Sequence, residues 1–288
     1  MDTFQLFVGF LIFWAGVIRP LLLKPCARLF PAEYTAAFVS VWAMVCVVAS
    51  WPVFGHLMTD KMSLVLEHPL IVIVSALKGV VFWYNMRSMQ IVNKESTSSA
   101  VFNSFIGLGI MALVNGMLGE KLLFVHLLCV LGLTALGVVF MVFGHAQSMS
   151  NNAKKHFLLL VLMFSYFGIS DQIVIPVFGW FFHLTVCFVT MFLMAIICKS
   201  VRKKDLVNMF THKAVILAGV VWAVSEFIII YSSIIILPVT IISVFGRLSI
   251  PIVMLISAVH FKEKTWKNQL LFGALAFALA LPIFLVKG

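Results

Sequence analysis

Apolar runs of about twenty residues follow one another along the entire chain, and this repetition leaves few folds open. In hydrocarbon a backbone must satisfy its own hydrogen bonds, so such runs fold as helices that each cross roughly 30 Å of lipid. Of the 288 residues, 63% are hydrophobic and only 10% are Asp, Glu, Lys or Arg; a soluble domain would carry about 25% charge. The expected fold class is an all-α integral membrane protein. The longest polar stretches, residues 144–156 and 199–213, are loop-sized, so no soluble domain is expected.

Ten spans are expected, at about 4–23, 33–55, 69–89, 96–118, 122–143, 157–176, 178–198, 213–234, 237–260 and 268–286. Pro31, Pro69, Pro176 and Pro238 serve as stop signals between them. The start, Met1 to Gln5, lacks the basic region of a cleaved signal peptide, so the first span is expected to be retained. The five cysteines show no CxxC spacing and read as small packing residues.

The formal charge of +10 would suggest nucleic acid in a soluble protein; here the asymmetry of loop charges explains it. Lys61, Lys121 and Lys287 are the only Lys or Arg on the side of the termini. The other side holds fifteen: Arg19, Lys24 and Arg28, then Arg87 and Lys94, then Lys154 and Lys155, five between 199 and 213, and Lys262, Lys264 and Lys267. Positive charge collects in the cytoplasm, so both termini are expected outside a plasma membrane of the bacterial inner-membrane kind.

Charges inside the apolar runs are the candidate functional groups, because each costs roughly 2.5–3.5 kcal/mol at a helix centre on insertion scales. Lys78 interrupts Ile71–Trp83, and Phe82 and Asn85 follow it on one helical face. Arg247 shares a stripe with Thr240, Ser243 and Pro251, and the proline should free a carbonyl and kink the span. Glu226 has Trp222 one turn before it, and Asp171 sits toward an end of span 6. Two readings stand for each: the cations contact an acidic solute and the acids carry protons, or cations and acids pair with one another. For Asp171 the first expectation is ordinary solvation near the interface. Asn103 and Ser104 either line a cavity or join helices. Trp14, Trp83, Tyr84, Tyr166 and Tyr231 offer material for a cation cage or for an interfacial belt, and Trp14 and Trp222 are the least belt-like by depth. The histidines, His183 among them, show no shared spacing for a metal. No P-loop, catalytic carboxylate pair or HExxH is present, so neither an enzyme nor a cofactor is expected.

The halves resemble each other. Gly119-Glu120-Lys121 and Lys262-Glu263-Lys264 each precede the last span of a half, and the two glutamates, 143 residues apart, are expected to cap the helix that follows. Five spans per half imply inverted repeats, at residues 1–146 and 147–288. Trp14-Ala15-Gly16, the Gly119–Leu122 turn, and the segment from Ser233 through Leu237-Pro238-Val239 to Phe261-Lys262-Glu263-Lys264 together resemble the drug/metabolite transporter superfamily, in particular its EamA-like ten-helix members. That resemblance implies a basket of ten helices, alternating access and small-molecule transport. It also implies cytoplasmic termini, against the charge count. The expected function is secondary transport of a small polar organic solute, amino acid-like, zwitterionic or anionic, with proton coupling at Glu226 or Asp171. A flippase for a polar-headgroup lipid and a non-transporting subunit or receptor are the alternatives. The expected partners are the solute and membrane lipid, with no nucleic acid, and the expected state is a monomer.

Overall fold

The computed structural model describes residues 3–95, 97–143, 149–198, 203–261 and 266–282; the side chains of 97–103, 203–206, 258, 261 and 266–269 lie outside that description. The described residues fold into thirteen helices and no strand. They are α1 (Thr3–Leu29), α2 (Ala32–Thr59), α3 (Leu64–Glu67), α4 (Pro69–Glu95), α5 (Thr97–Met117), α6 (Phe124–Phe143), α7 (Asn151–Phe178), α8 (Trp180–Ile197), α9 (Lys203–Thr211), α10 (Lys213–Ser232), α11 (Val239–Arg247), α12 (Ile250–Phe261) and α13 (Trp266–Ala280). Eight segments are long and apolar enough to cross a membrane, with α11 and the start of α12 counted as one, and Ser104–Met117 and Leu270–Ala280 are shorter apolar helices. The chain is an all-α, multi-pass membrane protein.

Two interiors organise the bundle. One gathers the C-terminal part of α1 with α2, α4, α8 and α10, around Phe38, Phe82, Phe188 and Trp222. The other gathers the N-terminal part of α1 with α5, α6, α11, α12 and α13, around Phe105, Leu133, Phe245 and Met254. Helix α7 lies along α4 and α5, and α1 lies along α10 and α11.

Local chemistry explains the boundaries. Pro31 and Pro238 flank the starts of α2 and α11, and Pro69 opens α4, where a missing N–H costs nothing. Pro176, in contrast, lies inside α7; the break before α8 falls at Gly179, whose φ of +80° suits a residue without Cβ. Helix α1 runs through Pro20 and Pro25 to Leu29, well past the expected end at residue 23. Residues 203–211 form the short helix α9 rather than loop, docked where Trp42 Nε1 donates to the Met209 carbonyl at 3.3 Å.

Glu120 does not cap its own following helix. Its carboxylate accepts from the Thr240 backbone N at 2.9 Å and from the Thr240 hydroxyl, so it caps α11, 120 residues away. Glu263 lies outside the described residues. The link from α10 to α11 is equally compact: Ile234 N donates to the Leu237 carbonyl at 3.0 Å, with Ile234 at φ +69°. A β-branched residue in the left-handed region is strained, and the short connection enforces it.

Candidate functional site: a charged cavity between the helices

Between the two interiors lies a cavity of about 140 Å³, walled by α1, α4, α5, α7, α10, α11 and α12. Its wall holds three cations, Arg19, Lys78 and Arg247, and two acids, Asp171 and Glu226. Phe82, Phe164, Phe167 and Trp222 are the aromatic residues of its wall.

Helix α4 presents Lys78, Phe82 and Asn85 to this cavity along one face. Lys78 is 1% exposed, and its ammonium contacts Asp171 Oδ1. The ammonium also lies 5.5 Å from the Phe82 ring centroid and 3.4 Å from His183 Nε2. His183, wholly buried on α8, places Nε2 2.9 Å from Asp171 Oδ1 and Nδ1 2.7 Å from Ser75 Oγ. With its proton on Nε2, the ring donates to Asp171 and accepts from Ser75. Asp171 is 3% exposed, so the expected solvation near an interface is corrected: the carboxylate is sequestered in a four-residue network. A buried ion pair repays its desolvation only when further hydrogen bonds satisfy the remaining groups, and His183 supplies one.

Arg19 and Glu226 form the second pair, Nη1 against Oε1, joining α1 to α10. Ile12, Gly16, Arg19 and Leu23 make one stripe of α1 facing the cavity. Arg19 therefore belongs to the site and not to a loop, a correction to the charge count.

Arg247 is placed differently. It ends α11, where Leu248 and Ser249 interrupt the span and Pro251 follows in α12. Its Nε donates to the Ser104 carbonyl at 2.9 Å and its Nη1 to the Ser243 carbonyl at 2.5 Å. No acid contacts it among the described residues. Helix α1 comes very close to this break: a Cβ on Gly16 would lie 2.5 Å from the Gly246 carbonyl oxygen.

Of the residues read from sequence, Lys78, Asn85, Asp171, Trp222, Glu226, Ser243 and Arg247 all line the cavity. Asn85 Nδ2 is buried there without a hydrogen-bond partner. Trp14 is elsewhere, 40% exposed and edge-on to Phe10 and Phe13. The side chain of Asn103 lies outside the described residues. Trp83, Tyr84, Tyr166 and Tyr231 are not part of the wall, so the cation cage does not assemble there. Thr240 is taken by Glu120, and Pro251 faces Gly273 of α13, which leaves Ser243 as the cavity-facing partner of Arg247 on its stripe.

Sequence reasoning missed Arg19 and His183. For Arg19 a signal existed, the helical spacing Ile12-Gly16-Arg19-Leu23. For His183 none did, because the Gly179 turn, not local spacing, brings it to Asp171. No metal-binding cluster occurs among the described residues.

No family model and no curated protein matches this chain. A solved structure described as "Crystal structure of protein" is similar over 99% of this chain and 98% of its own, with a TM-score of 0.62 and 15% identity. At that identity the likeness establishes a shared fold.

Proposed function

We propose that the chain is a secondary transporter that moves a small polar organic solute, amino acid-like or anionic, through the central cavity by alternating access. The observation that carries this reading is the cavity itself, where charged side chains from α1, α4, α7, α10 and α11 meet in the middle of an apolar bundle. Keeping such charges at depth is costly, and polar cargo is the ordinary reason to do so.

The reading includes ten spans in two inverted halves, residues 1–146 and 147–288, in the manner of the drug/metabolite transporter superfamily. Its support is the pairing of helices. Let the ten spans be α1, α2, α4, α5, α6, α7, α8, α10, the broken α11–α12, and α13. Each interior then draws matching spans from both halves: second, third, seventh and eighth in one, fourth, fifth, ninth and tenth in the other. Packing of α1 on α10 and α11 corresponds to that of α7 on α4 and α5. The ion pairs follow the same relation with charge reversed: Lys78 of the third span meets Asp171 of the sixth, and Glu226 of the eighth meets Arg19 of the first. Repeats packed in this way can rock about a shared site.

Asp171 and Glu226 each hold a cation, so protonating either one breaks a tie between the halves. Proton coupling on this reading is a switch between ion-paired and protonated states. The orientation with external termini remains part of the proposal, at fourteen Lys and Arg to three once Arg19 is withdrawn from the loops.

Reconstitution tests the function. Protein in liposomes preloaded with a mixture of amino acids and organic acids should drive counterflow of at least one labelled solute. Lys78→Ala and Arg247→Ala should abolish it. Uptake and binding unchanged in both variants would overturn the assignment.

A further inference from the structure

The cavity's charges do not balance, and the imbalance selects among cargoes. Lys78 is neutralised by Asp171 and Arg19 by Glu226, whereas Arg247 faces two backbone carbonyls and no acid among the described residues. A guanidinium has five N–H donors; the two used here fix its plane and leave others for a ligand. Asn85 adds a buried, unpartnered amide nitrogen to the same wall. Both acids are already held by cations, so an incoming ammonium finds no free carboxylate. The rest of the wall is largely apolar, with Phe82, Phe164, Phe167, Trp222 and Met86 prominent.

We infer that the cavity takes a small monocarboxylate with an apolar body, its carboxylate on the Arg247 fork, in preference to an amine or a zwitterion. This rests on the transport reading for its purpose but not for its chemistry. A carboxylate matches the guanidinium in charge and in planar geometry. It also supplies the counter-charge that an unpaired cation in a low-dielectric interior lacks. The volume of about 140 Å³ suits a ligand with a short chain.

Isocaproate, leucine and isoamylamine share a branched carbon skeleton and differ in charge, so they separate the possibilities. Thermal unfolding of the purified full chain with each should show isocaproate raising Tm most, leucine less, and isoamylamine not at all. Acetate, which keeps the charge without the body, should bind more weakly than isocaproate. Arg247→Gln should weaken isocaproate at least about 10-fold, the scale of a lost charged hydrogen bond, and Arg247→Lys should bind at an intermediate level. Because the wild-type series needs no variant, a folding defect in either one leaves the result readable. Stabilisation by leucine or isoamylamine equal to or above that by isocaproate would overturn the inference and leave transport standing. So would the absence of any response to the three compounds. Binding of isocaproate without counterflow in liposomes would support the anion site and refute the transport reading.

Discussion

At the scale of single residues, the buried charges have a cost that is legible in sequence, whereas their partners are not. Lys78, Arg247, Glu226 and Asp171 stood out because a charge within an apolar run demands compensation. Which group compensates which was not legible: Arg19 and Glu226 are 207 residues apart, and only packing brings them together. Breaking a buried pair by removing one partner costs about 3–5 kcal/mol, whereas an apolar replacement of both is close to neutral. Lys78→Met should therefore lower stability by that amount, and Lys78→Met with Asp171→Leu should recover most of it. Additive losses in chemical denaturation of the purified protein would contradict the network. The more exposed Arg19–Glu226 pair, with side chains 21% and 9% exposed, should show a smaller coupling in the same cycle.

At the scale of elements, the run lengths located the spans, and prolines located the starts of α2, α4 and α11. One break was misplaced because a proline tolerated within a helix looks in sequence like one that ends it. Pro176 is inside α7 because the Gly179 backbone, not the proline, turns the chain; separately, α1 runs to Leu29, past the expected end at residue 23. The interruption at Arg247 was legible from Pro251, but the capping of α11 by Glu120 was not, since it depends on tertiary contact. Glu120→Ala should cost about 0.5–2 kcal/mol, the usual value of a lost helix cap, and Glu120→Gln less. Equal stability of Glu120→Ala and wild type in thermal unfolding would remove the cap from the account. Close helix contact gives a sharper contrast. A Cβ on Gly79 would meet the Cys187 carbonyl oxygen at 2.2 Å, whereas one on Gly116 meets nothing within 4 Å. Gly79→Ala should sharply reduce the folded yield, and Gly116→Ala should raise Tm slightly through better helix propensity. A Gly79→Ala protein as stable as wild type would mean that α4 and α8 lie further apart.

At the scale of the whole molecule, composition sufficed for the membrane class, and the two-halves reading rests on helix pairing that a sequence shows only faintly. The Glu120/Glu263 spacing hints at repetition, and under the proposed ten-span reading the two interiors and the two ion pairs would be related between the halves. Orientation depends on loop charge. Reporter fusions after Lys61 and after Lys155 should fall on opposite sides of the membrane, the first external and the second cytoplasmic, and the reverse assignment would follow the family resemblance instead. The central claim is that the Arg247 cavity is open to water from each side in turn. A cysteine at Ser243, in a background with the five native cysteines replaced, tests it with an impermeant thiol reagent applied to either face of sealed vesicles. Alternating access predicts labelling from both faces, slowed from both by bound solute. Labelling from one face alone, or from neither, would contradict it.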